Sequence, residues 1–330
     1  MLQNEKLIIG ITGTGSLIGQ AIIKSINVSE FADTTMLIGM DYFDNTVGSH
    51  WCDKNYLLPD LLKPELELQW EDTVISIIRN NNIRILFIGV DFELIKFALL
   101  KDRIENETGC IVIVSDQSVI RIADDKFLTY QFLRENQLYY PNTSIFDFAE
   151  LNKITFPCII KPRNGYRSRG VYLVNSEEEL KDRASSIKMP IVQEYIGDDE
   201  SEYTCGVVRL GNYFDSIVLQ RQLKDGNTHI AVYENEFPEI IKKYIFDIAN
   251  KLNIFGACNF QLRLDDSGIP KLFEINARHS GTTYIRALFG FNEVETIIAY
   301  VLGREINKKS LKEGKVVRYF DEMFIPGAQR

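Results

Sequence analysis

The first third of the chain alternates between short apolar runs and amphipathic segments, and this order limits the possible folds more than any other feature. Four runs are predicted to be strands, at Leu7–Ile11, Thr35–Asp41, Ile83–Val90 and Cys110–Ser115. Between them, helical periodicity occurs at Ile18–Ile26, Glu71–Asn80 and Glu93–Glu105. Parallel strands need a crossover connection, usually a helix, so helices come to cover the sheet. The pattern therefore predicts an α/β unit with a doubly wound parallel sheet.

The rest of the chain has an α+β pattern. Short strands flank a glycine-rich loop at Lys161–Gly170, and several alternating strands run from Ile191 onward to a strand near Val316–Phe320. Helices are predicted at Asp125–Glu135, Pro238–Leu252 and Asn292–Leu302. The changes of pattern predict three units, residues 1–115, 116–190 and 191–330.

The composition excludes several functional classes. Hydrophobic residues make up 45% and charged residues 25% of the 330, which is typical of a soluble globular protein. The net charge of −9 argues against a general nucleic-acid binder. The five cysteines are scattered and form no Cys-x-x-Cys pair, so we expect reduced thiols and a cytoplasmic location. Because no apolar run reaches membrane-spanning length and no signal peptide is evident, we expect no membrane partner.

The segment Lys271–Arg278 is the strongest candidate for a functional site. Strict alternation places Leu272, Glu274, Asn276 and Arg278 on one face of a strand, and Phe273, Ile275 and Ala277 on the other. A turn at Asp265–Gly268 would bring Gln261, on the preceding apolar run, beside Glu274. Carboxylate and amide oxygens suit Mg²⁺ that also binds nucleotide phosphates. The alternative is an ordinary polar strand face.

The loop at Lys161–Gly170 is a second candidate. An apolar strand ends at Lys161, and the small residues Gly165, Ser168 and Gly170 follow. Small residues let backbone amides approach phosphate oxygens, and the lysine adds a compact positive charge. The lysine precedes the glycines, so this is not a Walker A loop. A solvated basic hairpin is the alternative.

Two further segments have weaker signals. The turn Gly13–Gly19 follows the first strand and opens a helix, which is compatible with a dinucleotide site in which Asp41 holds a ribose. The glycines also suit tight packing of strand against helix, and we favour that interpretation. Ile191–Gly197 is predicted to be a strand that leaves the core, with exposed backbone for a base, or simply a strand ending in an acidic turn.

Taken together, these segments resemble the ATP-grasp superfamily, specifically its carbamoyl-phosphate-synthase-like branch, over nearly the whole chain. The resemblance implies a Rossmann-like pre-ATP-grasp domain followed by two subdomains that hold ATP between them. It implies Mg²⁺, or Mn²⁺, on Gln261, Glu274 and Asn276, although many relatives have glutamate at the position of Gln261. The residues that the resemblance assigns to ATP are Lys126, Lys161, Ser168, Gly170, Glu194, Tyr195, Ile196 and Glu202.

The resemblance also implies the chemistry. A substrate carboxylate attacks the terminal phosphate of ATP, and an amine or thiol then displaces phosphate from the acyl phosphate. Arg278, Lys161 and Arg221 are the implied catalytic residues: Arg278 neutralises the transferred phosphoryl group, and Arg221 clamps a carboxylate or forms an ion pair. The implied partners are small carboxylates and amines, with a homodimer as a further possibility because relatives often dimerise.

Four other residues are weighed for the substrate pocket. Arg286 is a second candidate clamp or an ion pair, and His279 either lines the pocket or is structural. Asp41 and Glu93 are weak candidates for an amine pocket. Other functions left open are a bicarbonate or carbamate kinase, a non-catalytic ATP-binding regulator and a nicotinamide oxidoreductase, the last resting on the glycine turn alone.

Overall fold

The structure is a computed structural model that describes residues 6–165, 169–198 and 201–326. The amino-terminal part forms a parallel sheet of five strands in the order β3-β2-β1-β4-β5. The strands are β1 (Leu7–Thr12), β2 (Thr35–Asp41), β3 (Lys54–Leu57), β4 (Ile85–Phe87) and β5 (Ile111–Ile113). The predicted parallel sheet is confirmed, with β3 as a strand that the sequence did not reveal.

Helices pack on both faces of this sheet because each presents an apolar stripe. The fully buried side chains on these apolar stripes include Ile22, Trp70 and Phe97. The helices are α1 (Leu17–Asn27), α2 (Glu67–Asn80), α3 (Leu94–Thr108) and α4 (Gln117–Asp124). Ser16 caps α1 by accepting a hydrogen bond from the Gly19 amide at 2.9 Å, so this helix begins directly after the glycine turn.

A four-stranded antiparallel sheet follows, in the order β6-β9-β7-β8, with its own small core. Its strands are β6 (Thr143–Ile145), β7 (Cys158–Pro162), β8 (Tyr172–Val174) and β9 (Pro190–Glu194). The accompanying helices are α5 (Lys126–Glu135) and α6 (Glu177–Ser185). Since β9 belongs to this sheet, the change from one sheet to the next comes after Glu194 and not at residue 190. The division into three units stays a prediction.

The carboxyl-terminal part forms a six-stranded antiparallel sheet in the order β14-β13-β10-β11-β12-β15. Its strands are β10 (Glu202–Leu210), β11 (Tyr213–Lys224), β12 (Asn227–Tyr233), β13 (Gly256–Leu264), β14 (Pro270–Asn276) and β15 (Gly314–Val317). Its helices are α7 (Glu239–Leu252), α8 (Thr283–Leu288) and α9 (Glu293–Val301). None of the helices in the described parts of the chain combines the length and apolar character needed to cross a membrane.

The predicted hairpin forms between β13 and β14, and Gln261 lies directly opposite Glu274. The predicted strict alternation is wrong at one step, because the register shifts after Gln261 so that Leu262 pairs with Leu272. The extra residue is Phe273, and such a bulge re-aims side chains. As a result Leu272 is buried in the core, while Phe273 and Glu274 both line the cleft beside the sheet.

Candidate active site

The two antiparallel sheets enclose a cavity of about 350 Å³, here called the first cavity. Residues of both sheets line it, which is the arrangement expected of a ligand held between two lobes. From the four-stranded side and its helix come Lys126, Lys161, Glu194, Tyr195 and Ile196, and from the six-stranded side come Glu202, Arg221, Gln261, Arg263, Lys271 and Glu274. The structure therefore brings together most of the predicted nucleotide and metal residues.

Two lysines lie at one end of the first cavity. Lys161 is buried, and its ammonium donates to Gln193 Oε1 at 2.8 Å and to the Phe273 carbonyl at 3.4 Å. Burial, reinforced by the charge of Lys126, lowers the pKa of Lys161 to about 7, although the charge of Glu274 acts in the opposite direction. Lys126 donates to the Gly165 carbonyl at 2.9 Å. No salt bridge joins Lys161 to a carboxylate of the described residues, so the site favours an added anion.

The predicted phosphate loop is only partly described. Gly165 and Arg169 line the first cavity, whereas Ser168 lies outside the described residues. Gly170 is described and has a φ of 72°, a backbone conformation that suits glycine. Gly170 is absent from the cavity lining, but its neighbours Arg169 and Val171 are part of it.

The predicted adenine hinge follows β9. The Glu194 carboxylate accepts from the Asn142 amide at 2.9 Å and lies 3.1 Å from the Lys271 ammonium, so it is already engaged. The backbone of Tyr195 makes no hydrogen bond with any described residue, and its N–H and C=O are available to a ligand. The Ile196 carbonyl accepts from Arg263 Nη1 at 3.4 Å.

Glu202 is the centre of a buried ion network. Its Oε1 accepts from Nε and Nη2 of Arg221 at 2.9 and 2.7 Å, and its Oε2 accepts from Nε and Nη2 of Arg263 at 3.1 and 2.8 Å. Burial on its own would raise the pKa of Glu202, but the two arginines outweigh it and lower the pKa. Because a carboxylate has about four acceptor sites, this one is saturated. Arg221 also donates to Gln261 Oε1 at 2.7 Å, so it is held in place by the protein.

The residues predicted to bind metal differ in how they are engaged. Gln261 Oε1 accepts from Arg221, and Asn276 Oδ1 accepts from Arg278 Nη2 at 2.9 Å. The side-chain carboxylate of Glu274 makes no hydrogen bond or salt bridge with any described residue, although it lies in a cleft lined by basic side chains. The described part of the chain contains no group of three His, Cys, Asp or Glu side chains that could hold a cation. The set fits a hard cation that takes most of its ligands from phosphates and water.

A second cavity of about 450 Å³ opens beside the first. The two share part of their lining, including Arg221, Gln261 and Glu274. The start of α1, the turn after β4 and the segment that follows β14 complete the second cavity. Arg278 lies here, with its Nε donating to Asp91 Oδ1 at 2.6 Å and its Nη1 to the His279 carbonyl at 3.0 Å. Sequence reasoning missed Asp91, although its place after a parallel strand is a recognised position for site residues.

Asp41 and Glu93 do not contribute to the lining of either cavity. Asp41 accepts from the Thr14 hydroxyl at 3.0 Å and from the Gly15 amide at 2.6 Å, so it fixes the glycine turn. Glu93 is fully buried and accepts from the hydroxyls of Thr12 and Tyr42. The cavity linings therefore do not support the suggestion that Asp41 and Glu93 form an amine pocket. The hydrogen bonds of Asp41 favour a structural role for the turn Gly13–Gly19.

The interpretation of Arg286 as a substrate clamp is wrong, because its side chain is entirely buried. It donates to both carboxylate oxygens of Glu293, which is equally buried, at 2.8 and 2.7 Å. His279 is 2% exposed, with Nδ1 2.9 Å from Glu293 Oε1, and it also lies outside both cavity linings. No sequence motif indicated that Glu293 would be buried with these two residues.

Comparisons with known proteins agree with this geometry. A family profile described as ATP-grasp in the biosynthetic pathway with Ter operon matches residues 187–323, which include the hinge and the β13–β14 hairpin. The fold matches N5-carboxyaminoimidazole ribonucleotide synthetase in its ADP complex with a TM-score of 0.76, covering 96% of this chain and 82% of the other at 13% identity. The ATP-grasp match therefore covers the carboxyl-terminal part of the chain, and the likeness to the synthetase shows the fold of nearly the whole chain.

The other similar proteins include ligases and a synthase. A carbamoyl-phosphate synthase of Methanobrevibacter smithii is 22% identical over 244 residues, 70% of this chain and 66% of the synthase. A D-alanine–D-alanine ligase of Thermotoga petrophila is 35% identical over 86 residues, 25% of this chain and 28% of the ligase. The chain thus spans about two thirds of the first relative and less of the second. An L-amino acid ligase from Bacillus licheniformis has a TM-score of 0.71 at 16% identity, covering 90% and 74%.

Proposed function

We propose that this chain is an ATP-grasp enzyme, an ATP-dependent carboxylate–amine (or carboxylate–thiol) ligase that works through an acyl phosphate and releases ADP and phosphate. One observation carries the proposal: two cavities meet at Glu274, whose carboxylate has no hydrogen-bond or salt-bridge partner among the described residues. The first cavity has the lysines and free backbone that a nucleotide needs, and the second contains Arg278 and room for a small molecule. A cytoplasmic location is part of the proposal, because all five cysteines are free thiols.

The nucleotide is assigned to the first cavity. Lys126 and Lys161 hold its phosphates together with the loop that contains Ser168 and Gly170. This assignment is supported by the burial of Lys161, which forms no salt bridge with a carboxylate of the described residues. The adenine is assigned to the hinge formed by Glu194, Tyr195 and Ile196, where the unbonded backbone of Tyr195 can pair with the base. Glu202 can accept from the ribose only if Arg221 or Arg263 releases one of its oxygens.

Gln261, Glu274 and Asn276 would hold Mg²⁺ or Mn²⁺. When bound there, the cation reduces the repulsion between the phosphates and an incoming carboxylate. Glu274 supplies the one protein charge of this set, and Arg221 orients Gln261 through the 2.7 Å hydrogen bond. A ligand oriented in this way loses less freedom on binding, because the hydrogen bond fixes its side chain before the cation arrives.

The reaction is assigned to the junction of the two cavities. An oxygen of the substrate carboxylate attacks the terminal phosphorus of ATP, the bond to the bridging oxygen breaks, and ADP leaves with an acyl phosphate remaining. The nitrogen of an amine then attacks the acyl carbon, loses a proton and displaces inorganic phosphate. Arg278 offers positive charge to both reacting anions, and Asp91 and Asn276 fix its guanidinium in advance.

An ADP-release screen with the full chain tests the proposal. Amino acids and small carboxylates are supplied with amines, and one arm supplies bicarbonate and ammonia because of the similarity to carbamoyl-phosphate synthase. We expect ADP and phosphate in equal amounts only when an acid and an amine are both present, and a hydroxamate when hydroxylamine replaces the amine. Turnover confined to the bicarbonate arm would assign the kinase activity instead. ATP binding without turnover in every mixture would reject a ligase.

Lys161→Met is expected to weaken nucleotide binding by about 10- to 100-fold, because a hydrogen-bonded charge worth roughly 1.5 to 3 kcal/mol is lost. Calorimetric titration with ADP measures this change. Since the pKa of Lys161 is about 7 and an added phosphate raises it, wild-type binding at pH 8 should take up protons. The variant should not show that uptake. Lys188→Met, an exposed lysine, is the control, and equal affinity of Lys161→Met and wild type would contradict the assignment.

A further inference from the structure

Arg318 is a basic residue of the second cavity that the proposed reaction does not use. It follows β15, and its backbone amide donates to the His229 carbonyl at 2.8 Å, which extends the pairing with β12. Its guanidinium donates to the Gly281 carbonyl and lines the second cavity. Gly281 itself is packed against Leu17 of α1, so a Cβ there would come within 2.7 Å of that side chain. Arg318 therefore lies where the parallel sheet, the β14 segment and β15 converge.

The guanidinium of Arg318 has no acidic partner among the described residues. This separates it from Arg221, which pairs with Glu202, and from Arg278, which pairs with Asp91. The hydrogen bond to Gly281 uses one N–H, and a guanidinium has several more in a planar fork suited to carboxylates and phosphates. In agreement, partial burial lowers the pKa of Arg318, as expected for a desolvated charge without a counter-ion. A shortage of acidic side chains does not explain this, because the chain carries a net charge of −9.

The remaining lining of the second cavity suits a small polar molecule. Asn259, Ser280 and Thr282 make part of the lining polar, and Val90 and Phe92 add apolar surface from the turn after β4. A volume of about 450 Å³ is within the range of small-molecule sites. The proposed reaction already places one carboxylate of the substrate beside Arg278, at the end of the cavity that Glu274 marks. Arg318, which has no acidic partner among the described residues, calls for a second anionic group in the same cavity.

We propose that the acid activated in the second cavity carries a second anionic group, a carboxylate or a phosphate, that is bound by Arg318. This inference rests on the proposed ligase function, since it places the reacting carboxylate of the same molecule beside Arg278. Arg318 is then a specificity-determining residue that binds the substrate at a distance from the bond that forms. A purely structural role, tying β15 to the Gly281 segment, is the alternative that the experiment must exclude.

Binding is measured first, by titrating the ADP- and Mg²⁺-loaded protein with matched pairs of probes. The pairs are glutamate and glutamine, aspartate and asparagine, and succinate and succinamate for a carboxylate, with phosphoserine and serine for a phosphate. We expect at least one probe that carries the second anionic group to bind at least about tenfold more tightly than its partner without that group. Arg318→Gln should remove that difference, and Arg318→Lys should restore part of it. Lys315→Gln, which removes the same charge from an exposed position of β15, should preserve it.

Catalysis separates this inference from the proposed function. With the preferred acid and an amine, Arg318→Gln should raise KM by at least about tenfold and leave kcat within about twofold, because the residue acts in binding. A merely structural role would affect acids with and without the second anionic group alike, and that result would overturn the inference. The inference also fails if no probe with the second anionic group binds better than its partner without it. Arg318-dependent binding without ADP release in any mixture would support the anion site and reject the ligase function.

Discussion

Glu274→Gln is expected to lower turnover by about 100- to 1000-fold, the range found when one preorganised electrostatic group is removed from an active site. The substitution keeps the shape of the side chain and removes the single negative charge that the proposed cation would receive from the protein. Because Glu274 has no partner among the described residues, the fold should tolerate the change. We therefore expect an unchanged melting temperature, together with a higher Mg²⁺ concentration for half-maximal turnover.

Asp266→Asn is the matched control for this prediction. Asp266 lies in the turn of the same hairpin, is exposed and lines neither cavity, so the same loss of charge should leave turnover within about twofold. The measurement is ADP release at saturating ATP over a series of Mg²⁺ and Mn²⁺ concentrations. Near-normal turnover of Glu274→Gln at low Mg²⁺ would show that the carboxylate does not carry the cation, and the metal assignment would be abandoned.

The features that the sequence predicted best are those set by neighbours in the chain. Apolar runs separated by helices predicted the parallel sheet, and the turn at Asp265–Gly268 predicted that Gln261 would face Glu274. Both depend on local periodicity and turn chemistry. The bulge at Phe273 was not predictable, because an extra residue in one strand leaves the hydrophobic pattern of the other unchanged. That single shift changes which side chains face the cleft.

The features that the sequence did not predict are set by distant contacts. For Arg221 the sequence left open a carboxylate clamp or a surface ion pair, and it did not reveal the buried ion pair with Glu202 across two paired strands. Asp91 fixes Arg278 from 187 positions away. Arg318 had no distinguishing motif, and only the tertiary structure shows that no acidic side chain of the described residues pairs with it. Ion pairs of this kind depend on tertiary burial, which neither spacing nor composition encodes.

Arg286, Glu293 and His279 form a buried ion cluster next to the segment that follows Arg278. We expect disruption of this cluster to have a large effect on stability. Arg286 also donates to Asn259 Oδ1 at 3.1 Å and to the Thr282 hydroxyl at 2.6 Å, so it ties that segment to β13. Gly206 makes room for it, since a Cβ there would come within 2.3 Å of the arginine side chain. Burial alone would raise the pKa of Glu293, but Arg286 outweighs it, and the pKa is lowered to about 2.

Arg286→Leu is expected to lower the free energy of unfolding by about 3 to 5 kcal/mol, because Glu293 is left as a buried charge without its main partner. Urea unfolding followed by circular dichroism measures the loss, and Lys242→Gln, in an exposed pair with Glu239, should cost less than about 1 kcal/mol. The depressed pKa of Glu293 sets the pH range: its contribution is complete above about pH 4.5 and is lost as the pH falls toward 2. Adding Glu293→Leu should recover part of the stability of Arg286→Leu, since no charge is then stranded. If Arg286→Leu were as stable as wild type at pH 7, that result would show that the cluster does not stabilise this segment.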